Sequence, residues 1–173
     1  MFNLKPHANY QNPSIQSLQA SITRPNYQQL HLQYILSANL EQLLIAALSK
    51  PSFQDRLWEH TCFELFIQQQ GETAYYEYNF SPSSQWAAYG FNDYRQINNW
   101  QAKTTPIITS NQSVTLLQLD VQLDLPESLY HQALSVGLTA VLETRNNELS
   151  YWALKHPQKQ PDFHDKNGFI LTL

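Results

Sequence analysis

The stretch Cys62-Phe-Glu-Leu-Phe-Ile-Gln68, which is followed after a short gap by Tyr75-Tyr-Glu-Tyr-Asn-Phe80, decides the fold. Apolar and polar side chains alternate in both runs, and a period of two residues is typical of β-strands. A tight turn at Gln70-Gly71 would pair the runs so that Phe63 faces Tyr78 and the apolar faces coincide. The sequence therefore predicts an antiparallel β-hairpin here.

Several other segments of the chain have a similar pattern. We predict further strands at residues 15–22, 30–36, 114–125, 135–144, 149–154 and 169–173. Residues 40–48 fit a short helix or a buried strand equally well, and 50–56 are expected to form a loop. Residues 126–133 are expected to form one or two helical turns, with Pro126 opening them. Many short strands with little helix predict an all-β fold, an antiparallel β-sandwich or jelly roll.

Length and charge limit the class of protein. A chain of 173 residues is long enough for one domain with a substantial core, so residues 1–173 are expected to form a single domain. The net charge of −4 argues against binding to nucleic acid, which requires clustered Lys and Arg. Charged residues make up only 14% and aromatic residues 13%. Neutral hydrogen-bonding groups therefore supply most of the polarity, which suits a neutral polar ligand.

Sequence features also predict a location. Residues 1–7 contain no continuous apolar run of the kind found in a signal peptide. No segment approaches the ~18 apolar residues of a transmembrane helix, so no membrane association is expected. The single cysteine, Cys62, cannot form an intrachain disulfide, which fits a reducing compartment. The expected location is the cytoplasm.

The hairpin predicts a polar patch on one face of the sheet. The register described above sets Glu64 directly opposite Glu77, with Asn79 beside Cys62. Like charges across a ladder are unfavourable unless one is protonated, a cation lies between them, a ligand binds both or solvent screens them. A turn at residues 81–84 would place Trp86 next to Asn79, which makes this face a candidate platform for a sugar.

A second cluster of chemically active side chains lies near the C-terminus. The predicted strand at 149–154 carries Trp152, and the proline-bracketed loop after it carries His156, Asp162 and His164. Asp162 could orient His164 by a hydrogen bond, or it could cap the turn that follows Pro161.

These residues are compatible in type with three kinds of chemistry. A metal site could be drawn from His60, Glu64, His156 and His164, although their spacing matches no compact metal motif. Hydrolysis by the two glutamates would require carboxyl groups ~5 to 9.5 Å apart across a glycosidic bond. A Cys62 nucleophile served by His60 is disfavoured, because side chains two residues apart on a strand point in parallel.

Six sequence motifs, taken together, resemble those of a known family. The motifs are Leu57-Trp-Glu-His-Thr-Cys-Phe-Glu-Leu-Phe66, Tyr76-Glu-Tyr-Asn-Phe-Ser-Pro82, Trp86-Ala-Ala-Tyr89, Tyr94-Arg95, Tyr151-Trp-Ala-Leu154 and Pro161-Asp-Phe-His164. They resemble the bacterial DOMON-like proteins, which are related to family 9 carbohydrate-binding modules. The resemblance extends from about residue 15 to the C-terminus. It implies an immunoglobulin-like or jelly-roll β-sandwich that binds sugars or, in other DOMON branches, haem.

The resemblance also implies roles for particular residues. In family 9 modules two tryptophans clamp a sugar, while acidic, amide and arginine side chains bind its hydroxyl groups. Trp58 and Glu64 match the first tryptophan and its acidic partner, Trp152 matches the second tryptophan, and Arg95 matches the arginine. Family 9 modules usually sit beside secreted glycanases, whereas no signal peptide is expected in this chain. Methionine–histidine haem ligation is hard to build, because the only methionine is Met1.

The combined expectation is non-catalytic binding of a small saccharide or related polar ring in an aromatic-lined pocket, without a cofactor. The expected ligand-binding residues are Trp58, Glu64, Glu77, Asn79, Trp86, Arg95, Trp152, His156, Asp162 and His164. Three alternatives remain open at this point. They are a DOMON-type protein that binds haem or a metal such as calcium, an enzyme that uses Glu64 and Glu77 on a saccharide-like metabolite, and an interaction domain that binds protein partners.

Overall fold

Thirteen β-strands account for most of the regular structure in the computed structural model, which describes residues 1–173. In chain order, β1 to β13 are Phe2–Pro6, Ile15–Asn26, Gln29–Ala38, Ser52–Phe53, Cys62–Gln69, Tyr75–Phe80, Gln85–Asp93, Gln96–Ile97, Ile107–Gln112, Leu116–Asp124, Leu134–Glu143, Leu149–Ala153 and Leu171–Thr172. The helical content consists of four single 3-10 turns, at Leu40–Gln42, Leu57–Glu59, Glu127–Leu129 and Lys166–Gly168. The predicted all-β class is confirmed. No helix has the length and apolar character needed to cross a membrane.

The strands form two sheet regions that share β1. The first region has the order β1-β2-β3-β10-β9, and the second has the order β4-β7-β6-β5-β11-β12-β1. Strand β1 joins them because its first half pairs with β2, as in Leu4 with Leu18, and its end pairs with β12, as in Pro6 with Trp152. Every pairing is antiparallel except that of the two-residue strand β4 with β7. The sheet therefore curls over on itself into a sandwich.

The core lies between the two sheet regions and follows from the alternation in the sequence. Inward side chains of β3, such as Leu32 and Tyr34, meet inward side chains of β5 and β11, such as Phe63 and Leu138, in one cluster of 32 buried residues. The Tyr34 hydroxyl crosses this core and donates a 2.7 Å hydrogen bond to the backbone carbonyl of Glu64. This bond ties the first sheet to the strand that carries the candidate site.

The predicted strands are present, with some differences at their ends. Strands β1 and β9 and the short β4 and β8 were not predicted, and all of them lie at sheet edges or join the two sheets. Residues 40–48 form neither a longer helix nor a strand, but contain the 3-10 turn Leu40–Gln42 and an isolated bridge between Leu43 and Thr144. Leu40 and Leu43 are buried, whereas Leu44 and Leu48 face solvent. The predicted helical turn after Pro126 is confirmed by the 3-10 turn Glu127–Leu129.

The predicted register of the β5–β6 hairpin is wrong by two residues. Phe63 pairs with Phe80 rather than Tyr78, and Glu64 pairs with Asn79 rather than Glu77. The connection is longer than the expected tight turn, and Gln68 Nε2 donates to the backbone carbonyls of its loop residues Glu72 and Thr73. A shift of two residues leaves every side chain on its original face, so alternation alone could not distinguish the two registers.

The outer face of the second sheet region is covered by the C-terminal segment. Phe169 stacks on Phe66 of β5 and contacts Tyr75 of β6, in a cluster that also contains Phe91 of β7. Gly137 of β11 makes room for Phe169, because a Cβ atom at this position would lie 2.8 Å from its ring. This close contact holds the C-terminal segment against the sheet, and Pro161, Phe163 and His164 of that segment form one wall of the candidate site.

Candidate functional site

A cavity of about 800 Å³ opens between the outer face of the second sheet region, the 3-10 turn Leu57–Glu59 and the C-terminal segment. Five of the predicted site residues line it, namely Trp58, Glu64, Glu77, Arg95 and His164. These residues come from five separate elements, namely the 3-10 turn Leu57–Glu59, β5, β6, the β7–β8 turn and the C-terminal segment. The structure therefore brings these five side chains together in one hollow on the sheet, and their role in binding a ligand stays a prediction.

Two buried carboxyl groups form the floor of the cavity. Glu64 of β5 is 1% exposed and Glu77 of β6 is 5% exposed. Thr139 Oγ1 donates a 2.8 Å hydrogen bond to Glu64 Oε2, and Asn79 Nδ2 donates a 2.7 Å hydrogen bond to Glu77 Oε1. The two glutamates are diagonal neighbours on adjacent strands, because Glu64 lies opposite Asn79 rather than opposite Glu77.

Burial determines the protonation of this pair. Removal from water raises the pKa of both carboxyl groups, since the charged form loses its hydration. The negative charge of Glu77 raises the pKa of Glu64 further, whereas the hydrogen bonds from Thr139 and Asn79 partly oppose the rise. The floor can therefore hold one or two protonated carboxyl groups near neutral pH, and these can donate as well as accept hydrogen bonds.

Asn79 and Cys62 lie beside the floor, on the same face of the sheet as the two glutamates. Both are fully buried, and the Cys62 thiol donates to Asn79 Oδ1 across 3.3 Å. The two hydrogen bonds of Asn79 fix the orientation of its amide and so position the carboxyl group of Glu77. Burial raises the pKa of the Cys62 thiol well above its usual value, which keeps it protonated and unreactive. Asn79 thus supports Glu77 from the neighbouring position on the same strand and does not line the cavity.

Arg95 occupies the wall at the β7–β8 turn. It has a left-handed backbone conformation with a φ of 54°, which is uncommon for a residue with a side chain. Its guanidinium group donates a 2.9 Å hydrogen bond to Asp162 Oδ1, and the Tyr94 hydroxyl donates a 2.7 Å bond to Asp162 Oδ2. Asp162 therefore holds Arg95 in place and links this turn to the C-terminal segment.

His164 connects the wall to the floor. Its ring Nδ1 lies 2.8 Å from the Tyr75 hydroxyl, which also accepts a 3.0 Å hydrogen bond from the backbone N–H of Arg95. Burial and the nearby positive charge of Arg95 lower the pKa of His164 to about 4, so the ring is neutral at neutral pH. With Tyr75 donating to Nδ1, the ring proton resides on Nε2, which lies 3.6 Å from Glu77 Oε2.

Aromatic rings form the remaining walls. Trp58 is 38% exposed and meets Tyr89 edge to face, with the ring centroids 5.5 Å apart. The Tyr89 hydroxyl donates a 2.6 Å hydrogen bond to Asp55 Oδ1, which fixes this ring. Four further aromatic residues line the cavity, namely Phe66, Phe91, Tyr151 and Phe163. The cavity can thus offer flat apolar surface and fixed polar groups to the same small ligand.

Sequence reasoning missed several of these wall residues, although the signal was present. Tyr89 and Phe91 alternate with Ala87 on β7, and Ala87 pairs with Asn79, so all three side chains share the outer face. Tyr151 precedes Trp152, and only one of two consecutive strand residues can face the cavity. The alternation of faces along β7 and β12 would have identified them once the true pairings were known.

The expected positions of Trp86 and Trp152 were wrong. Trp86 pairs with Phe80 rather than lying beside Asn79, and it points into the core, where it is 8% exposed. Trp152 is 5% exposed in the same core, and its indole N–H donates to Ser150 Oγ at 3.1 Å. The β6–β7 turn is one residue out of phase with the expected one, which reverses the face of Trp86. The second tryptophan expected from the family resemblance is therefore absent from this cavity.

The other candidates also lie apart from the cavity. His156 Nε2 donates a 2.8 Å hydrogen bond to the backbone carbonyl of Lys5, and its ring packs edge to face on His7. His60 Nδ1 pairs with Glu143 Oε2 at 2.8 Å. No group of three or more His, Cys, Asp or Glu side chains is arranged to hold a metal ion. The structure therefore does not assemble the metal set of His60, Glu64, His156 and His164.

Comparisons with solved structures identify proteins whose fold is similar to this one. The chain is similar to a protein from Bacteroides uniformis that is proposed to bind carbohydrate, with a TM-score of 0.60, 13% sequence identity, and coverage of 96% of this chain and 84% of that one. It is also similar to a family 9 carbohydrate-binding module from Caldicellulosiruptor kristjanssonii in complex with glucose. That match has a TM-score of 0.59 and 5% identity, and it covers 87% of this chain and 74% of the module.

The fold resembles that of a family 9 carbohydrate-binding module. The structural relation expected from the sequence motifs is therefore confirmed at the level of the fold. No protein-family model matches the sequence, and no curated protein matches it. The relation to DOMON-like proteins stays a prediction.

Proposed function

We propose that this protein binds a small saccharide in the outer-face cavity without chemically changing it. The observation that carries the proposal is the convergence of the exposed indole of Trp58 with the polar side chains of Glu64, Glu77, Arg95 and His164 in one cavity, whose floor consists of the two buried glutamates. The similarity in fold to a glucose-bound module and to a protein proposed to bind carbohydrate supports it.

The apolar and polar side chains of the cavity would contribute to sugar binding in different ways. The apolar face of a sugar ring would stack on Trp58, and Tyr89 and Phe163 would enclose the edges of that ring. Hydroxyl groups would bind the carboxyl groups of the floor and the Nε2–H of His164. Each hydroxyl buried without a partner would cost about 1–3 kcal/mol, so these polar groups would set the specificity, whereas stacking would supply most of the affinity.

Titration calorimetry against a panel of monosaccharides and disaccharides tests the proposal. We expect at least one sugar to bind the unaltered protein and to bind Trp58→Ala and Glu77→Gln at least ~10-fold more weakly, since such a factor corresponds to about 1.4 kcal/mol. Glu127→Gln is the matched control, because Glu127 is an exposed glutamate outside the cavity that pairs with Lys103. Absence of binding to every sugar by the folded protein would refute the proposal.

One observation favours a second function, acid–base chemistry on the bound sugar. The two floor carboxyl groups have raised pKa values and share one cavity, which is the condition in which one group can donate a proton while the other accepts one. Turnover of a saccharide that is abolished in Glu64→Gln but retained in Trp58→Phe would identify an enzyme. Binding without turnover would leave the first proposal standing.

A further inference from the structure

The cavity is lined by more acidic than basic side chains. Four carboxyl-bearing residues line it, namely Asp55, Glu59, Glu64 and Glu77, and Arg95 is the only lysine or arginine that does. A neutral sugar needs no such imbalance. The excess of carboxyl groups therefore restricts the class of saccharide that fits this cavity.

Existing ion pairs do not correct the imbalance. Arg95 is engaged by Asp162 through the 2.9 Å bond described above, and Glu59 is paired with Arg56. His164 is neutral at neutral pH because its pKa is lowered to about 4, chiefly by burial. Asp55, Glu64 and Glu77 are thus left in or beside the cavity without a cationic partner.

Two carboxyl oxygen atoms of the floor also lack a proper hydrogen-bond donor. The nearest donor to Glu77 Oε2 is His164 Nε2 at 3.6 Å, which is beyond hydrogen-bonding distance. Glu64 Oε1 has only the Cys62 thiol, a weak donor, at 3.9 Å. Both side chains are more than nine-tenths buried and line the cavity, so their free oxygens are available to a ligand.

The walls are suited to the same kind of ligand. Six Trp, Tyr and Phe rings line the cavity, and the faces of such rings attract organic cations, most strongly where water is excluded. Trp58 and Tyr89 form an edge-to-face pair at the rim. Aromatic rings beside unpaired carboxyl groups are a general arrangement for binding an ammonium group.

We propose that the saccharide selected by this cavity is an amino sugar, whose protonated amino group binds between Glu64 Oε1 and Glu77 Oε2. This inference rests on the proposed function and specifies its ligand class. An ammonium group supplies three donors and one positive charge, which are what the two oxygens lack. A bound cation would also compensate the burial that raises the pKa of both carboxyl groups, and so would favour their charged forms.

Calorimetric titration at about pH 7 with four probes tests this inference. The probes are glucosamine, glucose, N-acetylglucosamine and choline. Glucosamine and glucose differ in the amino group alone, the N-acetyl derivative removes its charge, and choline carries a positive charge without a sugar ring. We expect glucosamine to bind at least ~10-fold more tightly than each of the other three, as charge-assisted hydrogen bonds are about twice as strong as neutral ones.

Variants of the two floor glutamates test whether these residues cause the preference for glucosamine. In Glu77→Gln the ratio of glucosamine to glucose affinity is expected to fall to within about 3-fold of unity, because the amide cannot neutralise the ammonium group. In the Glu127→Gln control the ratio should be unchanged. Retention of the full glucosamine preference in both Glu77→Gln and Glu64→Gln would overturn the inference.

Other outcomes separate the inference from the proposed function. Glucose or N-acetylglucosamine binding as tightly as glucosamine would overturn the amino-sugar inference and leave saccharide binding intact. Choline binding as tightly as glucosamine would show that the sugar ring is not recognised, which overturns both. Absence of binding by all four probes to the folded protein would also overturn both.

Discussion

Replacing Glu64 with glutamine is expected to stabilise the protein at alkaline pH. Glu64 is 1% exposed, and burial together with the charge of Glu77 raises its pKa above the 4.5 of an exposed glutamate. Glutamine has nearly the same shape and can still accept the hydrogen bond from Thr139 through its amide oxygen. The substitution therefore removes a buried charge while keeping the packing of the floor.

The sign and the size of the effect follow from proton linkage. Between the ordinary pKa and the raised one, the folded protein binds more protons than the unfolded chain, so the free energy of unfolding falls as the pH rises. Because the pKa of Glu64 is raised from 4.5 to about 8, the loss at a pH above both values amounts to about 5 kcal/mol. For a chain of this size, this is a difference in melting temperature of about 10–20 °C. Glutamine does not titrate, so the variant avoids this loss.

The assay is urea unfolding of both proteins at about pH 5, 7 and 9. The two free energies of unfolding should be close at the lowest pH and should separate in favour of Glu64→Gln at the highest. Glu127→Gln serves as control, because Lys103 lowers the pKa of this exposed carboxyl group and its titration is complete below the tested range. If the free energies of unfolding of Glu64→Gln and the unaltered protein changed in parallel with pH, the argument that burial raises the pKa of Glu64 would be refuted.

Three further predictions concern single side chains. Trp58→Ala should weaken sugar binding at least ~10-fold. Because this indole is partly exposed, the free energy of unfolding should change by no more than about 0.5 kcal/mol, and losses of affinity and stability of equal size would contradict the prediction. Trp152→Phe should lower the free energy of unfolding by about 1–3 kcal/mol and leave the dissociation constant of the sugar, measured by calorimetry, unchanged. Tyr34→Phe should destabilise by about 1–2 kcal/mol in urea unfolding, because the Glu64 carbonyl loses its buried donor; an unchanged midpoint would contradict this.

The general fold could be predicted from the sequence because its main signal is local. Period-two alternation identified β5, β6 and most longer strands, since one face of each strand must pack on the core. Strands β1 and β9 lacked this signal. Strand β9 is an edge strand whose residues are mostly exposed, and β1 is positioned by pairing with β2 on one side and β12 on the other. Such long-range pairing leaves little trace in a short local pattern.

The candidate site was predictable only in part, for a related reason. Alternation places Glu64 and Glu77 on one face of the sheet under either register, so their meeting in the cavity did not depend on the turn. The face of Trp86 depended on the phase of the turn after β6, and it was assigned wrongly. The partners of Arg95 and His164 come from contacts between the β7–β8 turn and the C-terminal segment, which no local pattern specifies.

The four tryptophans permit the most direct test of the central claim, that a sugar binds in the outer-face cavity. The claim predicts that titration of ¹⁵N-labelled protein with glucose or glucosamine shifts the indole N–H resonance of Trp58, which lines the cavity. The indole resonances of Trp86 and Trp152, which are buried in the core, should not move. A shift of the Trp152 resonance with no change at Trp58 would contradict the claim.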